Sequence, residues 1–478
     1  MIRPIAANIR SLTLVIALAF LATSMGVAYW SLVQAAELSA DPFNPRLLAT
    51  LRDRPRGAIV AADGTVLASS ARSGSGYARK YADRSLAQAI GYASYTYGTS
   101  GVEAAYAESL IGRDAADPIS QWRARYLGEQ SPPASVRVAI VPAVQRAAAA
   151  ALGDRRGAVI ALDPRTGGIL ASVSQPGYDP NLIVDPATQD LAWQQVNGNV
   201  GKPLIDRARQ GLYPPGSTFK LVTAAAALER GLDPKAKIRV DDPYQADPSW
   251  GSYTVKSPSQ AHGDFDLSLA FQRSENIYFA KIGLQTGGAR LAEYAARFGI
   301  GSVPRCELSA AKGQIATGGQ LDRPILVADT SFGQGELLVS PLQMALVTAT
   351  IARGGSLPVP HYATAVVDAA GNTLRLIEPG ALAQAIKPET AATIGAAMVA
   401  AVEGPGAFAF GARIPGVRVA GKTGTAENAS GLPHGWFVGF APAESPVAVV
   451  AVLIENSPGG GEDAAPVGAA VLRSALGR

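Results

Sequence analysis

The sequence predicts an α+β fold in which helices pack on an antiparallel sheet, preceded by a small mixed α/β module and one transmembrane helix. Three observations predict it. Strand-like apolar runs stand at both ends of the region 151–478, and the stretch between them is dominated by Ala-rich helical segments. Residues 11–36 carry no charged side chain. Asp63-Gly64 separates two short apolar runs, the strongest short-range hairpin signal.

The apolar stretch 11–36 exceeds the roughly 20 residues needed to cross a bilayer. Arg3 and Arg10 precede it and Glu37 follows, so the positive-inside rule places the N-terminus in the cytoplasm and everything after residue 36 outside. The alternative is a cleaved signal peptide, since 33–36 offers small residues to a peptidase. A cleavable apolar core usually runs only about 7–15 residues, which favours an uncleaved anchor. The organisation expected is a tail and anchor at 1–36, a non-catalytic module at 37–150 and the α+β domain at 151–478.

Along the module, Asp41-Pro42-Phe43-Asn44-Pro45 reads as a stiff linker, because two prolines disfavour helix. The Asp-Gly hairpin covers 57–68, and 81–130 is mixed, with a helical stretch near 102–110. These are signals of a scaffold. Residues 144–152 form an Ala-rich helix stopped by Gly153, and strand runs at 157–163 and 168–173 are joined by the turn sequence Pro164-Arg165-Thr166-Gly167. Helical segments follow near 218–230, 266–272, 276–286, 289–298 and 340–353. Ser340-Pro341-Leu342-Gln343 opens the last of them with capping-box spacing and Pro at the first helical position. Strand signals return at 417–426, 436–440 and 446–454, and 464–476 reads as a closing helix.

Composition narrows the function classes. The 478 residues are 48% apolar, ample for sizeable cores. A net charge of +4 with dispersed Lys and Arg gives nucleic-acid binding no support. The single Cys306 excludes an internal disulfide framework, and His262, His361 and His434 show no ligand spacing, so neither a metal site nor a cofactor is expected.

Three short motifs carry the chemistry: Ser217-Thr218-Phe219-Lys220, Ser274-Glu275-Asn276 and Lys422-Thr423-Gly424-Thr425. Pro214-Pro215-Gly216 cannot lie in mid-helix, so Ser217 falls at or just before the first turn of the helix that Gly231 ends. There, backbone N–H groups and the helix dipole favour developing negative charge. Lys220 lies one turn on along the same face, within reach of the Ser217 hydroxyl, and its apolar neighbours Phe219, Leu221 and Val222 supply the desolvation that makes a lysine a base. The bland reading of this tetrad is a Ser N-cap beside a solvated Lys. Ser274-Glu275-Asn276 interrupts two apolar segments; it is either a helix cap or a second hydroxyl for proton relay with an amide to hold a substrate carbonyl or the lysine. Gly421 and Gly424 leave a strand without side chains at two places, which marks either an edge strand or the close approach of a ligand backbone. Lys422 and Thr423 suit a substrate carboxylate. The backbone N–H of Thr425, with that of Ser217, makes an oxyanion hole, one donor of which is worth about 10²- to 10³-fold in rate. No Gly-x-Ser-x-Gly elbow holds Ser217, so lysine rather than histidine is the available base.

With the motifs in this order, the chain resembles the class B penicillin-binding proteins, the monofunctional D,D-transpeptidases of peptidoglycan synthesis. The resemblance also rests on 56–68, Ser100-Gly101-Val102-Glu103-Ala104-Ala105-Tyr106, 157–162, Gly168-Ile169-Leu170-Ala171, Tyr178-Asp179-Pro180-Asn181, Phe332-Gly333-Gln334-Gly335 and His434-Gly435-Trp436-Phe437-Val438-Gly439. It implies a penicillin-binding transpeptidase domain with a helical subdomain, behind a pedestal or dimerisation module. It further implies Ser217 as acylated nucleophile, Lys220 as general base, Ser274 and Asn276 as proton relay and substrate holder, and Lys422 to Thr425 as the substrate strand. Stem peptides are then the substrates and β-lactams covalent inhibitors. The module leaves no room for a glycosyltransferase, so a polytopic glycan polymerase is the expected partner. Glu275 departs from the pattern by adding a charge beside the relay. Rival readings are a D,D-carboxypeptidase, a serine β-lactamase or β-lactam sensor, and a non-catalytic cell-wall scaffold.

Overall fold

The computed structural model describes residues 5–35, 38, 54–73, 76–113, 122, 132–378, 380–429 and 431–478. Helix α1 (Ile5–Ala28) runs into a π-helical turn, Tyr29–Val33. Together they make the one helix among the described residues that is long and apolar enough to cross a membrane. Its apolar side chains, Phe20 and Leu32 among them, are exposed, as expected of a helix whose solvent is lipid. Arg3, Glu37 and the linker 41–45 lie outside the described residues.

Strands β1 (Ile59–Val60), β2 (Val66–Ser73), β3 (Gly76–Tyr81) and β4 (Ser135–Val138) form most of the N-terminal sheet. The Asp-Gly hairpin forms where the sequence places it: Gly64 has φ +86°, and the Thr65 amide donates to Asp63 Oδ1 at 2.9 Å. The helical stretch expected at 102–110 breaks at Tyr106 into two short helices, Gly101–Ala105 and Ala107–Leu110. Glu103 on the first is fully buried, held by Arg56 Nε at 2.9 Å and Arg79 Nε at 2.5 Å.

Most of the rest of the chain builds the domain. In order come α2 (Pro142–Leu152), β5 (Gly157–Leu162), β6 (Ile169–Gln175), α3 (Lys220–Glu229), α4 (Leu267–Gln272), α5 (Asn276–Thr286) and α6 (Gly288–Arg297). They are followed by α7 (Pro324–Ser331), α8 (Pro341–Ala352), β7 (Ala363–Val367), β8 (Thr373–Leu376) and α9 (Pro388–Glu403). The end is β9 (Ala420–Ala426), β10 (His434–Ala441), β11 (Ala448–Ile454) and α10 (Gly461–Ala475). The capping box forms as expected, with Ser340 Oγ accepting from Gln343 N at 3.2 Å and Gln343 Oε1 from Ser340 N at 3.0 Å.

The domain sheet is antiparallel in the order β9-β10-β11-β5-β6, so strands from both ends of the region meet at its centre. Along β11, Val449, Ala451 and Leu453 enter one apolar cluster while Val450, Val452 and Ile454 enter another, the period-2 alternation of a strand buried on both faces. α2 and α10 cover one face; α8 and α9 cover the other. One cluster runs without a break from Ile59 and Val136 of the N-terminal sheet to Val449, so module and domain share a core.

β7 and β8 are absent from the sequence reading, and they join the wrong end of the chain: β7 pairs antiparallel with β4, completing the N-terminal sheet as β8-β7-β4-β1-β2-β3. Glu307 fastens this crossover, accepting from the amides of Tyr362 and Ala363 at 3.0 Å and from the Tyr106 hydroxyl at 3.3 Å. α7 and α9 are likewise additions. Pro at the first helical position of each, ahead of an Ala-rich run in α9, is the signal that finds them.

Candidate active site

Ser217 sits in the 3-10 turn Gly216–Phe219, immediately ahead of α3. The turn is pinned from several sides. Gly216 N donates to Gly333 O at 2.9 Å, Thr218 Oγ1 to Pro215 O at 2.8 Å, and the Trp436 indole of β10 to Pro214 O at 2.9 Å. Glycine is required where the pieces meet. Gly216 has φ +54° and Gly333 has φ +90°, and a Cβ on Gly333 would stand 1.7 Å from Gly216 O. A Cβ on Gly424 would lie 2.8 Å from Pro215 O, so strand β9 rests directly against the turn that carries Ser217.

Lys220, the first residue of α3, is fully buried, and its amine is held by oxygen atoms of the connector after α4 and of the first residue of α5. Nζ donates to Ser274 O at 2.6 Å and to Asn276 Oδ1 at 2.7 Å, with Ser274 Oγ at 3.4 Å and the Phe279 ring centroid at 5.3 Å. Among the described residues no hydrogen bond joins Lys220 to the Ser217 hydroxyl. Ser274 adopts φ +52°, a left-handed conformation that costs a non-glycine residue about 1 kcal/mol or more and turns both its carbonyl and its hydroxyl toward lysines. From β9, Lys422 Nζ donates to Ser274 Oγ at 2.7 Å and to Thr423 O at 3.0 Å. The two lysine amines thus converge on one serine.

Electrostatics follow from that burial. Desolvation first, then repulsion by Lys422, holds the Lys220 amine well below the usual lysine range, and Glu275 opposes both. Burial alone brings Lys422 down to about 7. Neither lysine lines the cleft. The cavity above them, about 650 Å³, is lined by Ser217, Ser274, Asn276, Thr423 and Thr425.

The chain's three motifs are therefore brought to one place. Ser217, Ser274, Asn276, Thr423 and Thr425 face the cavity, Lys220 and Lys422 lie beneath it, and Gly424 makes the contact between strand and turn. The sequence reading missed the opposite wall. Asp329 on α7, Tyr253 and Glu427 line the same cavity, with the Tyr253 hydroxyl donating to Asp329. Burial, with Glu427 nearby, raises the Asp329 carboxyl above its ordinary range. No sequence motif marks these residues, which lie far apart along the chain. Among the described residues, no group of three or more His, Cys, Asp or Glu is placed to hold a metal.

Comparison with known proteins places this geometry. Residues 157–473 match the penicillin-binding protein transpeptidase domain, and 56–136 match the penicillin-binding protein A dimerisation domain. Peptidoglycan D,D-transpeptidase PbpA of Mycolicibacterium smegmatis is 36% identical over 465 residues, covering 92% of each chain. The Mycobacterium tuberculosis PbpA is 34% identical over 469 residues, again covering 92% of both. The solved ceftriaxone acyl-enzyme of penicillin-binding protein A from M. tuberculosis superposes with a TM-score of 0.82 at 32% identity, covering 90% of this chain and 100% of that one. With its transpeptidase domain behind a dimerisation-type module, this chain belongs to the penicillin-binding protein transpeptidase family, as a class B member.

Proposed function

We propose that the protein cross-links peptidoglycan stem peptides as a serine D,D-transpeptidase, and that β-lactams acylate the same serine. The observation that carries this reading is the convergence of two fully buried lysines on Ser274 beneath the cavity that Ser217 lines. Burial and Lys422 hold the Lys220 amine well below its ordinary range, which favours the unprotonated form that accepts a proton.

The Ser217 hydroxyl attacks the carbonyl of the donor's D-Ala-D-Ala bond as its proton passes to Lys220. The backbone N–H groups of Ser217 and Thr425 receive the oxyanion. When the C–N bond breaks, the departing amine takes a proton through the Ser274 hydroxyl, which Lys422 supplies, and the donor remains as an ester on Ser217. An acceptor amine then attacks the ester and gives up a proton along the same route, restoring Ser217. Asn276 holds the substrate amide and the lysine, and Thr423 on the cavity wall receives the donor's terminal carboxylate, with Lys422 buried beneath it and out of contact. A β-lactam enters the first half of the sequence by ring opening, and its tethered leaving group stays in the cleft.

The finer assignments rest on the same reading. α1 anchors the protein with its N-terminus cytoplasmic and the domain outside, supported by its exposed apolar surface. The segment 37–150 serves as a non-catalytic pedestal, and glycan polymerisation comes from a polytopic partner. Turnover of a stem-peptide mimic with and without an acceptor amine tests the proposal: an amide product that depends on the amine is expected, and release of acid alone would instead make the protein a carboxypeptidase.

A further inference from the structure

Glu275 is fully buried in the middle of the second motif, and no salt bridge reaches it among the described residues. Its carboxylate is nevertheless engaged on both oxygens. Oε1 accepts from Ile277 N at 3.0 Å, capping α5, and Oε2 accepts from Ser257 Oγ at 2.6 Å. Ser257 lines the catalytic cavity, and its oxygen in turn accepts from the amide of Ala261 at 3.0 Å. The neighbouring Asn276 sends Nδ2 to Lys256 O at 3.1 Å, so both residues after Ser274 grip the same wall segment.

We propose that Glu275 is a positioning residue for acylation: its carboxylate ties the cavity wall at Ser257 to the Ser274–Asn276 turn and serves as a buried counter-charge to Lys220. This rests on Ser217 and Lys220 acting as nucleophile and base. A carboxylate this deep costs several kcal/mol unless hydrogen bonds and a nearby positive charge offset its desolvation, and here the two functions share one group. The charged and titratable groups facing Lys220 are Lys422 from β9 and Glu275 from the connector, while α5 contributes the Asn276 amide and the Phe279 ring. Tyr253, Lys256, Asp329 and Glu427 stand farther out, around the same cavity. Glu275 favours the protonated form of Lys220 against burial and Lys422. Removing its charge therefore lets Lys220 lose its proton more readily, so an acid limb set by that proton moves to lower pH even as the loosened wall slows the reaction.

The experiment measures the second-order rate of acylation of the full-length protein by a fluorescent penicillin, from about pH 5 to pH 9, for wild type, Glu275→Gln and Ser257→Ala, with a thermal melt for each. Glu275→Gln is expected to lose about 10-fold or more at its optimum, on the scale of a hydrogen bond to a charged group, with its acid limb at lower pH than wild type. Ser257→Ala is expected to lose rate by several-fold with the limb unmoved. A folded Glu275→Gln that keeps the wild-type limb overturns the proposal, whatever its rate. Should Glu275→Gln fail to fold, Ser257→Ala decides alone, and a wild-type rate there overturns it. A wild type that takes no label, or a Ser217→Ala variant that does, counts instead against the assignment of Ser217.

Discussion

Two buried clusters of parallel make-up stand in this molecule, each with two basic side chains and one carboxylate. In the N-terminal module, Arg56 and Arg79 both close directly on Glu103 at 2.9 and 2.5 Å, and Tyr81 adds its hydroxyl at 3.3 Å. In the catalytic domain, Lys220 and Lys422 touch only neutral oxygens, while Glu275 bonds to a serine and a backbone amide. The first cluster neutralises charge where it is buried. The second leaves its lysines without a direct ion pair, and Glu275 acts on Lys220 only through space, against burial and Lys422. Arginine suits the first role because its fork pairs with carboxylate and never gives up its proton, whereas lysine suits the second because burial moves its titration. Desolvation pushes the Glu103 carboxyl upward, and the two guanidiniums outweigh it, holding the group below its ordinary range.

The largest expected effect comes from breaking the catalytic cluster. Ser217→Ala abolishes labelling by a fluorescent penicillin and Lys220→Met nearly does, on a scale of about 10³-fold or more for losing a nucleophile–base unit. The fold should survive Lys220→Met, whose thermal midpoint is expected to equal or exceed that of wild type, because an apolar side chain replaces a desolvated amine. A lower midpoint would break the comparison. Glu103→Ala should do the reverse. Stranding two buried guanidiniums costs about 3–5 kcal/mol, read as a lower denaturation midpoint, while the molecules that remain folded acylate normally.

The pH dependence of stability should also differ between the clusters. Glu103 binds its proton less tightly when folded, so its contribution is present above the ordinary glutamate value of 4.5 and is lost as pH falls below it. Lys422 acts with the same sign in a higher window: between a folded value near 7 and the ordinary 10.5 the unfolded chain holds more protons, so stability rises with pH there, as the cost of burying a charged amine is relieved. Denaturant titrations of Glu103→Gln and Lys422→Met against wild type read each slope separately. A smaller effect is expected of Trp436→Phe, which removes the 2.9 Å tether to Pro214 and should slow acylation by a few-fold through a looser nucleophile turn.

Much of this was legible in the sequence because the catalytic cluster uses residues with local signatures. Pro214-Pro215-Gly216 fixes the helix start behind Ser217, and Gly424 fixes where the strand lies against it. The rest depends on pairings that no local pattern encodes. β8 is four exposed residues whose strand character comes only from β7, and β7 finds its partner β4 more than 220 residues back along the chain. Asp329 and Tyr253 meet only because α7 and the wall segment fold over the same cavity. Glu275 could be seen as an added charge, but its engagement with Ser257 could not, since Ser257 sits in a loop whose path is set by contacts on both sides.

The most direct test of the central claim is peptide mass spectrometry of the protein after exposure to benzylpenicillin. The account predicts one penicilloyl adduct, confined to the peptide that contains Ser217 and lost in Ser217→Ala. An adduct on any other residue, or one that persists in Ser217→Ala, would contradict it.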